Sequence, residues 1–151
     1  MINVYDRKCT GSDFDNNGLV VLGEFISAEI TEEVNGVLEL TLEQPLDARG
    51  KWKNLVEDNI IKCNGQLFRI YHKVTTLTSR KINARHIFYD NIDNSTEALT
   101  LTNLTGQGAT DYLLKHTQYA HNFTSSGDLT DMATLKLPAG NVVENIMELM
   151  E

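Results

Sequence analysis

The sequence has no apolar run approaching the roughly 18 residues that a membrane span requires. It also has no basic segment followed by an apolar one at its N-terminus, the pattern of a secretory signal peptide. We therefore expect no membrane anchor. Only 13 residues are Lys or Arg, against 21 Asp and Glu, and the net charge is -8. This charge argues against a surface that holds nucleic acid through its phosphates, so we expect no sequence-specific nucleic-acid binding.

Cysteine is scarce, and catalytic motifs are missing. Cys9 and Cys63 form no C-x-x-C pair, so neither a zinc ribbon nor a thioredoxin-type motif is supported. The chain also has no G-x-S-x-G motif and no Gly-rich phosphate loop. Carboxylates are abundant between residues 24 and 43, where they are typical of the solvated edges and faces of a hairpin. We predict no catalytic residue and no bound cofactor.

The clearest structural signal is a β-hairpin. Apolar and polar residues alternate over residues 26–31 and 38–42, on both sides of Asn35-Gly36. A two-residue turn would place two glutamates opposite each other. A three-residue loop avoids that repulsion and gives the hairpin a single apolar face. We therefore predict the second register, with the pairs Ile30–Leu40 and Ala28–Leu42 and with Gly36 in the left-handed bulge position.

Further strands are predicted along the first 95 residues. Pro45 ends the first hairpin, because proline lacks the N–H that a strand ladder needs. A second hairpin turns at Asn64-Gly65 and alternates without interruption over residues 67–74. In the next predicted strand, one face is formed by Ile82, Ala84, His86 and Phe88. Trp52 is interpreted as packing over one end of the sheet, with an aromatic binding platform as the alternative. At least five short strands indicate a small barrel or sandwich.

The pattern changes after residue 94. Residues 95–108 are polar and rich in threonine, and residues 109–120 predict a short helix with Ala109, Leu113 and His116 on one side. A strand pair is predicted around 121–126 and 132–137. A last helix follows Asn141, its expected N-cap, with Glu144 completing a capping box. Because its apolar stripe reaches the end of the chain without a C-cap, we expect the natural polypeptide to continue.

Residues 13–24, DFDNNGLVVLGE, match the calcium-loop pattern of an EF-hand through Asp13, Asp15, Asn17, Gly18 and Glu24. An EF-hand also needs a helix on each side of the loop, and neither flank predicts one. We favour a structural turn in which Gly18 supplies a positive φ, with a strand starting at Leu19 and Glu24 starting the next one. No metal site is therefore predicted here.

The four histidines give no metal site either. His72 and His86 fall in predicted strands, where packed and hydrogen-bonded imidazoles are the common case. His116 and His121 are five positions apart, which is too far for one helical face at the i, i+4 spacing, and no third ligand can be placed beside them.

Three strings in this chain resemble the N-terminal region of tail-tip proteins from phages and prophages that infect Gram-positive bacteria. The strings are INVYDRKCTGSDFDNNGLVVL, AEITEEVNGVLELTLEQPLD and INARHIFYD. Such tail-associated proteins of siphophages are often labelled prophage endopeptidase tail or minor structural protein. After Thr96 the resemblance consists of the order of helix, strands and helix. The matching strings are structural and contain no catalytic signature.

The resemblance implies a baseplate hub. In this family, small β-barrels with an α/β segment inserted between them assemble as a homotrimer that closes the tail tube. Two barrels in each chain give a pseudo-sixfold ring that fits the hexameric ring of the distal tail protein. The implied fold class is mainly β with a smaller α+β segment. Residues 1–94 would form a small antiparallel β-barrel, and residues 95–151 the start of an inserted, incomplete α/β domain.

The expected function is structural and not enzymatic. The protein would belong to the virion, at the tail tip, after assembly in the cytoplasm of the bacterial host. Expected partners are the distal tail protein ring, the tape-measure protein and other tail-tip proteins. An acidic chain would suit a channel through which DNA slides. The alternatives are a part of a tail-associated peptidoglycan-degrading enzyme with its catalytic region outside this chain, and, less favoured, a calcium-binding module.

Overall fold

A computed structural model describes residues 1–34, 36–119, 123–128 and 130–149. The chain divides into two compact units, Met1–Ile87 and Phe88–Glu151. This division falls a few residues before the boundary predicted between residues 94 and 95. The structure is mainly β with two short α-helices, which confirms the predicted fold class.

The first unit is built on one antiparallel sheet of seven strands. In chain order they are β1 (Ile2–Tyr5), β2 (Val20–Leu22), β3 (Ser27–Glu32), β4 (Leu38–Pro45), β5 (Ile60–Cys63), β6 (Gln66–Thr75) and β7 (Ser79–His86). Their order across the sheet is β2-β1-β5-β6-β7-β4-β3. Short 3-10 helices span Gly11–Asp15, Lys51–Asn54 and Ile87–Asn91.

The connection between β2 and β3 requires the sheet to curl. These strands are consecutive in the chain, yet they form the two opposite edges of the sheet. Residues 23–26 join them, a link that spans at most ~18 Å when fully extended. In a flat sheet of this size the edges would stand ~29 Å apart. The edges must therefore approach each other, and the sheet is a curled half-barrel.

The half-barrel encloses the first hydrophobic core. Alternate side chains of the strands point inward, as the period of two requires. The fully buried members include Val4, Leu22, Leu40, Leu42, Ile61, Phe68, Ile70 and Ile82. Each such aliphatic or aromatic side chain stabilises the unit by roughly 1.5–3 kcal/mol through burial.

The register predicted for the first hairpin is confirmed, with the pairs Ile30–Leu40 and Ala28–Leu42. The Glu33 N–H donates to the Val37 carbonyl at 2.7 Å, which closes a three-residue loop. Asn35 lies outside the described residues. Because φ at Gly36 depends on the carbonyl carbon of Asn35, the left-handed conformation of Gly36 stays a prediction.

The turn predicted for the second hairpin is confirmed. Cys63 pairs with Gln66, and Asn64 and Gly65 between them have φ values of 50° and 80°. Two consecutive positive φ values define the type I′ turn that an Asn-Gly pair favours. β4 ends at Pro45, as predicted.

The uninterrupted alternation predicted for β6 is wrong. A β-bulge lies between Ile70, opposite Ala84, and His72, opposite Asn83. The extra residue, Tyr71, shifts the alternation by one position. Phe68 and Ile70 are therefore buried before the bulge, whereas Val74 is exposed beyond it.

The strand that follows is shorter than predicted. β7 ends at His86, so Ile82 and Ala84 share the buried face, as expected. Phe88 was predicted on that same face, which is wrong. It lies in the 3-10 helix Ile87–Asn91 and packs against the core of the second unit.

The second unit combines short strands with both α-helices. Its elements are β8 (Ser95–Thr96), β9 (Leu99–Leu104), α1 (Gly106–Lys115), β10 (Ala133–Leu137), β11 (Gly140–Asn141) and α2 (Val142–Leu149). β9 pairs with β10, and β8 pairs with β11. No helix in the described ranges is long and apolar enough to cross a membrane.

The strand pair predicted around 121–126 and 132–137 is wrong. β10 pairs with β9 instead, and residues 123–126 form no strand. Residues 121 and 122 lie outside the described ranges. In this pairing, Leu101 of β9 is buried and Leu99 packs against the same core.

Both helices begin at capping side chains. The Asn141 amide oxygen accepts the Val143 N–H at 2.7 Å and the Glu144 N–H at 3.3 Å, which confirms the predicted N-cap of α2. The Thr105 hydroxyl accepts the Gly108 N–H at 3.1 Å, so α1 begins three residues before the predicted start at residue 109. Such caps satisfy N–H groups that have no partner within the helix.

Candidate functional site

The calcium-like segment folds as a structural turn. Residues 11–15 form a 3-10 helix in which the Asp13 carboxylate accepts the Thr10 N–H at 2.9 Å. Gly18 has φ +66°, and a Cβ there would lie 2.4 Å from the Val4 carbonyl oxygen. Glu24 does not start a strand as predicted, because β3 begins at Ser27. In the described part of the chain, no group of three or more His, Cys, Asp or Glu residues could hold a metal.

A buried tyrosine ties this segment to the half-barrel. The Tyr5 hydroxyl donates to the Asn16 carbonyl at 2.6 Å, and the Tyr5 ring meets Phe14 edge-on with centroids 5.1 Å apart. The Lys62 ammonium donates to the Phe14 carbonyl at 2.9 Å. These contacts fasten the turn to β1 and β5 of the half-barrel.

The three described histidines belong to no group of residues that could hold a metal. His86 is packed as expected, with Nε2 2.9 Å from the Gln66 amide oxygen and its ring edge-on to Phe68. His72 is exposed on β6, so its predicted packing is wrong. His116 is also exposed, contrary to its predicted place on the buried side of α1, and it stacks on Tyr112 at 4.2 Å. His121 lies outside the described residues.

The two cysteines are free thiols and lie apart in the fold. Cys9 is half-buried before the first 3-10 helix, and Cys63 is buried at the end of β5. Burial raises the pKa of the Cys63 thiol above its ordinary value. A protonated, enclosed thiol is a poor nucleophile, so Cys63 has the character of a packing residue.

Trp52 is held by an arginine on the neighbouring strand. The Arg80 guanidinium carbon lies 4.6 Å from the centre of the indole ring. The same side chain donates to the carbonyls of Trp52 and Leu55 at 3.3 and 3.2 Å. This cation–π contact fixes the 3-10 helix Lys51–Asn54 on the sheet and favours the packing interpretation of Trp52.

One cleft of about 440 Å³ lies within the second unit. Its apolar wall comes from the 3-10 helix and both α-helices through Phe88, Leu114, Ile146 and Leu149. Ser125 and Asp111 are already paired at 2.6 Å beside it. The described residues that line the cleft include neither histidine nor cysteine. Its chemistry therefore suits apolar packing better than acid–base or nucleophilic catalysis.

The outer face of the half-barrel carries an exposed cluster of Tyr71, Glu39 and Arg85. The Tyr71 hydroxyl donates to the Glu39 carboxylate at 3.4 Å, and Arg85 lies 3.7 Å from the same carboxylate and 4.7 Å from the centre of the Tyr71 ring. Partial desolvation, followed by the negative charge of Glu39, raises the pKa of Tyr71. Arg and Tyr side chains of this kind are enriched where proteins contact one another. Sequence reasoning missed the cluster because its residues come from β4, β6 and β7, and the pairing of β7 with the other two strands was not predicted.

These features define a mainly-β half-barrel followed by a small α+β unit, with surfaces suited to protein contacts. No protein-family model and no curated protein matches the chain. Among solved structures, the chain is similar to the crystal structure of prophage tail protein gp18 from Listeria monocytogenes EGD-e, with a TM-score of 0.63 and 18% sequence identity. The similarity covers 99% of this chain and 44% of that one. The chain thus spans less than half the length of the tail protein, and at this identity the similarity shows a shared fold.

Proposed function

We propose that this chain is a structural component of a phage or prophage tail. The observation that carries the proposal is the structural similarity to a prophage tail protein over 99% of the chain. The three strings quoted above support it from the sequence, because they resemble tail-tip proteins independently of the coordinates. Because fold alone does not define function, the structural similarity and the three sequence strings must be taken together.

Within the tail, the chain forms part of a trimeric baseplate hub. The hub closes the tail tube at the tail tip and adapts it to the hexameric ring of the distal tail protein, with the tape-measure protein and other tail-tip proteins as further neighbours. The half-barrel supports this proposal, because it offers the open edge of β3 and an exposed Tyr–Arg–Glu cluster for contacts between subunits. The net charge of -8 would keep DNA from adhering during passage through the hub.

The protein acts without catalysis in these residues. The cleft in the second unit and the scattered histidines supply no acid–base pair in the described ranges, which supports a structural role. The alternative is a tail-associated peptidoglycan-degrading enzyme whose catalytic region lies outside this chain. That alternative draws on the greater length of the similar tail protein, of which this chain covers 44%.

Two measurements test the proposal. Mixed with the distal tail protein of the same phage, the chain should form a complex of three copies with one hexameric ring, measured by native mass spectrometry. Purified cell walls incubated with the chain should release no muropeptides. Failure to bind the ring would overturn the hub function. Release of muropeptides by the wild-type chain would show that a catalytic site lies within these residues and would overturn the structural function.

A further inference from the structure

The β3 edge of the half-barrel is open. β3 lies at the end of the sheet, pairs only with β4 in the described part of the chain, and is six residues long. The Glu33 N–H donates toward β4, to Val37. Since donor direction alternates along a strand, the N–H groups of Ala28 and Ile30 point away from β4. β3 therefore offers a row of backbone donors and acceptors to another strand.

The other edge of the sheet is covered. The Lys51 ammonium donates to the Val21 carbonyl of β2 at 2.7 Å, and the 3-10 helix Lys51–Asn54 packs against β2. Covering an edge strand with a helix is a common way to prevent further pairing. The half-barrel thus protects one edge within its own chain and leaves the other open.

The outer face of β3 carries a negative charge, on Glu29, that has no ion-pair partner among the described residues. On the two neighbouring strands, acidic residues of β4 lie opposite basic residues of β7, as in the pairs Glu39–Arg85 and Glu43–Lys81. Glu29 of β3 lies opposite Thr41. A strand added beside β3 would therefore favour a cation opposite Glu29. On the inner face, Ala28 is exposed and Ile30 is partly buried against the core, so apolar neighbours are favoured there.

β10 has the complementary pattern. It pairs only with β9 in the described ranges, and its residues Leu135-Lys136-Leu137 alternate apolar, basic and apolar. Lys136 is exposed without an ion-pair partner there, and Leu135 is 42% exposed. If Lys136 lies opposite Glu29, both leucines fall on the face of Ala28 and Ile30 in either strand direction, because side chains alternate. β9, the other strand of that pair, carries no charged residue.

We propose that β3 of one copy pairs with β10 of a second copy, with Lys136 opposite Glu29. The inference rests on the proposed function, since a homo-oligomeric hub requires contacts between copies, and it names one of them. The contact joins two different surfaces of the chain. Such head-to-tail contacts close into a ring when the rotation between copies allows it, as a trimer requires.

Disulfide trapping tests the pairing directly. Directly opposed residues of neighbouring strands have Cβ atoms roughly 4.5–5.5 Å apart, within reach of a disulfide after small shifts. In a Cys9→Ser background, a Glu29→Cys copy mixed with a Lys136→Cys copy should form a cross-linked dimer under mild oxidation. Neither single variant should do so alone. Absence of the mixed product would overturn the pairing.

Charge reversal provides the second test, read out as the concentration at half-association in sedimentation. Glu29→Lys and Lys136→Glu should each raise it about tenfold, because like charges then face each other. The double variant should restore association. Glu97→Lys, an exposed control outside both strands, should have no effect. A double variant as weak as the single ones, or a wild-type chain that stays monomeric at millimolar concentration, would overturn the pairing.

The two proposals fail in different ways. If the chain binds the distal tail protein ring but yields no mixed disulfide, the β3–β10 contact is wrong and the hub function stands. If the disulfide forms but the ring is not bound, the contact stands and the hub function is wrong.

Discussion

The two units of the chain bury their apolar residues by different means. In the first unit, seven strands that are far apart in sequence contribute alternate side chains to one core. In the second, two capped helices cover the pair β9–β10, and the core is built around Leu101, Leu113 and Val142. The first unit therefore depends on strand order and turn geometry. The stability of the second unit depends more on the capping of its helix ends. The same kind of substitution should therefore change the stability of the two units by different amounts.

The largest effect is expected in the half-barrel core. Phe68 is fully buried, so Phe68→Ala removes a whole ring and should destabilise the first unit by about 3–5 kcal/mol. Hydrogen exchange should show lost protection in β4–β7, while amides of α1 and α2 keep theirs. Tyr71→Ala, on the exposed side of the same strand, is the matched control. Equal loss of protection in both units would contradict their separate cores.

The next largest loss of stability is expected from replacing a glycine in a turn of the first unit. Gly18→Ala combines a positive φ with a clash against the Val4 carbonyl, and should cost about 2–4 kcal/mol. Gly11 also has a positive φ, +49°, but open space around it, so Gly11→Ala should cost only about 1 kcal/mol. Urea unfolding measures both. A similar cost for the two variants would show that the close approach at Gly18 is unimportant.

In the second unit, loss of a helix N-cap should lower stability more than a substitution at an exposed position of the same helix. Asn141→Ala leaves the first N–H groups of α2 without their acceptor and should lower stability by about 1 kcal/mol. Glu148→Ala, on an exposed position of the same helix, should change it by less than about 0.5 kcal/mol. Thermal unfolding followed by circular dichroism at 222 nm separates the two. A larger effect from Glu148 would contradict this account of α2.

The smallest effect concerns calcium. Because Asp13 caps its own turn and the flanks of the loop are not helical, millimolar calcium should leave the melting temperature of the first unit unchanged. Isothermal titration should show no saturable heat. A saturable signal that Asp15→Asn abolishes would revive the calcium-binding alternative.

The sequence predicted local geometry better than distant pairing. The Asn64-Gly65 turn, the Ile30–Leu40 register and the need for glycine at position 18 follow from steric rules that act within a few residues. The bulge at Tyr71 carries no glycine or proline signal, so the alternation of β6 gave no warning of it. β9 could have been found, because its threonines favour strands and alternate with Leu99 and Leu101.

Contacts across many residues could not be predicted. The pairing of β9 with β10 crosses α1 and a long loop, and no residue type in either strand encodes that partner. The same holds for the hydrogen bond from Lys51 to the carbonyl of Val21, which lies thirty positions away in the chain. The difference between the two edges of the sheet therefore appears only in the three-dimensional fold.

Native mass spectrometry of the chain mixed with its distal tail protein tests whether the chain is part of a trimeric tail hub, as proposed. We expect one dominant complex with three copies of the chain on one hexameric ring. A spectrum that contains only free rings and free monomers, at concentrations where each protein is folded, would contradict it.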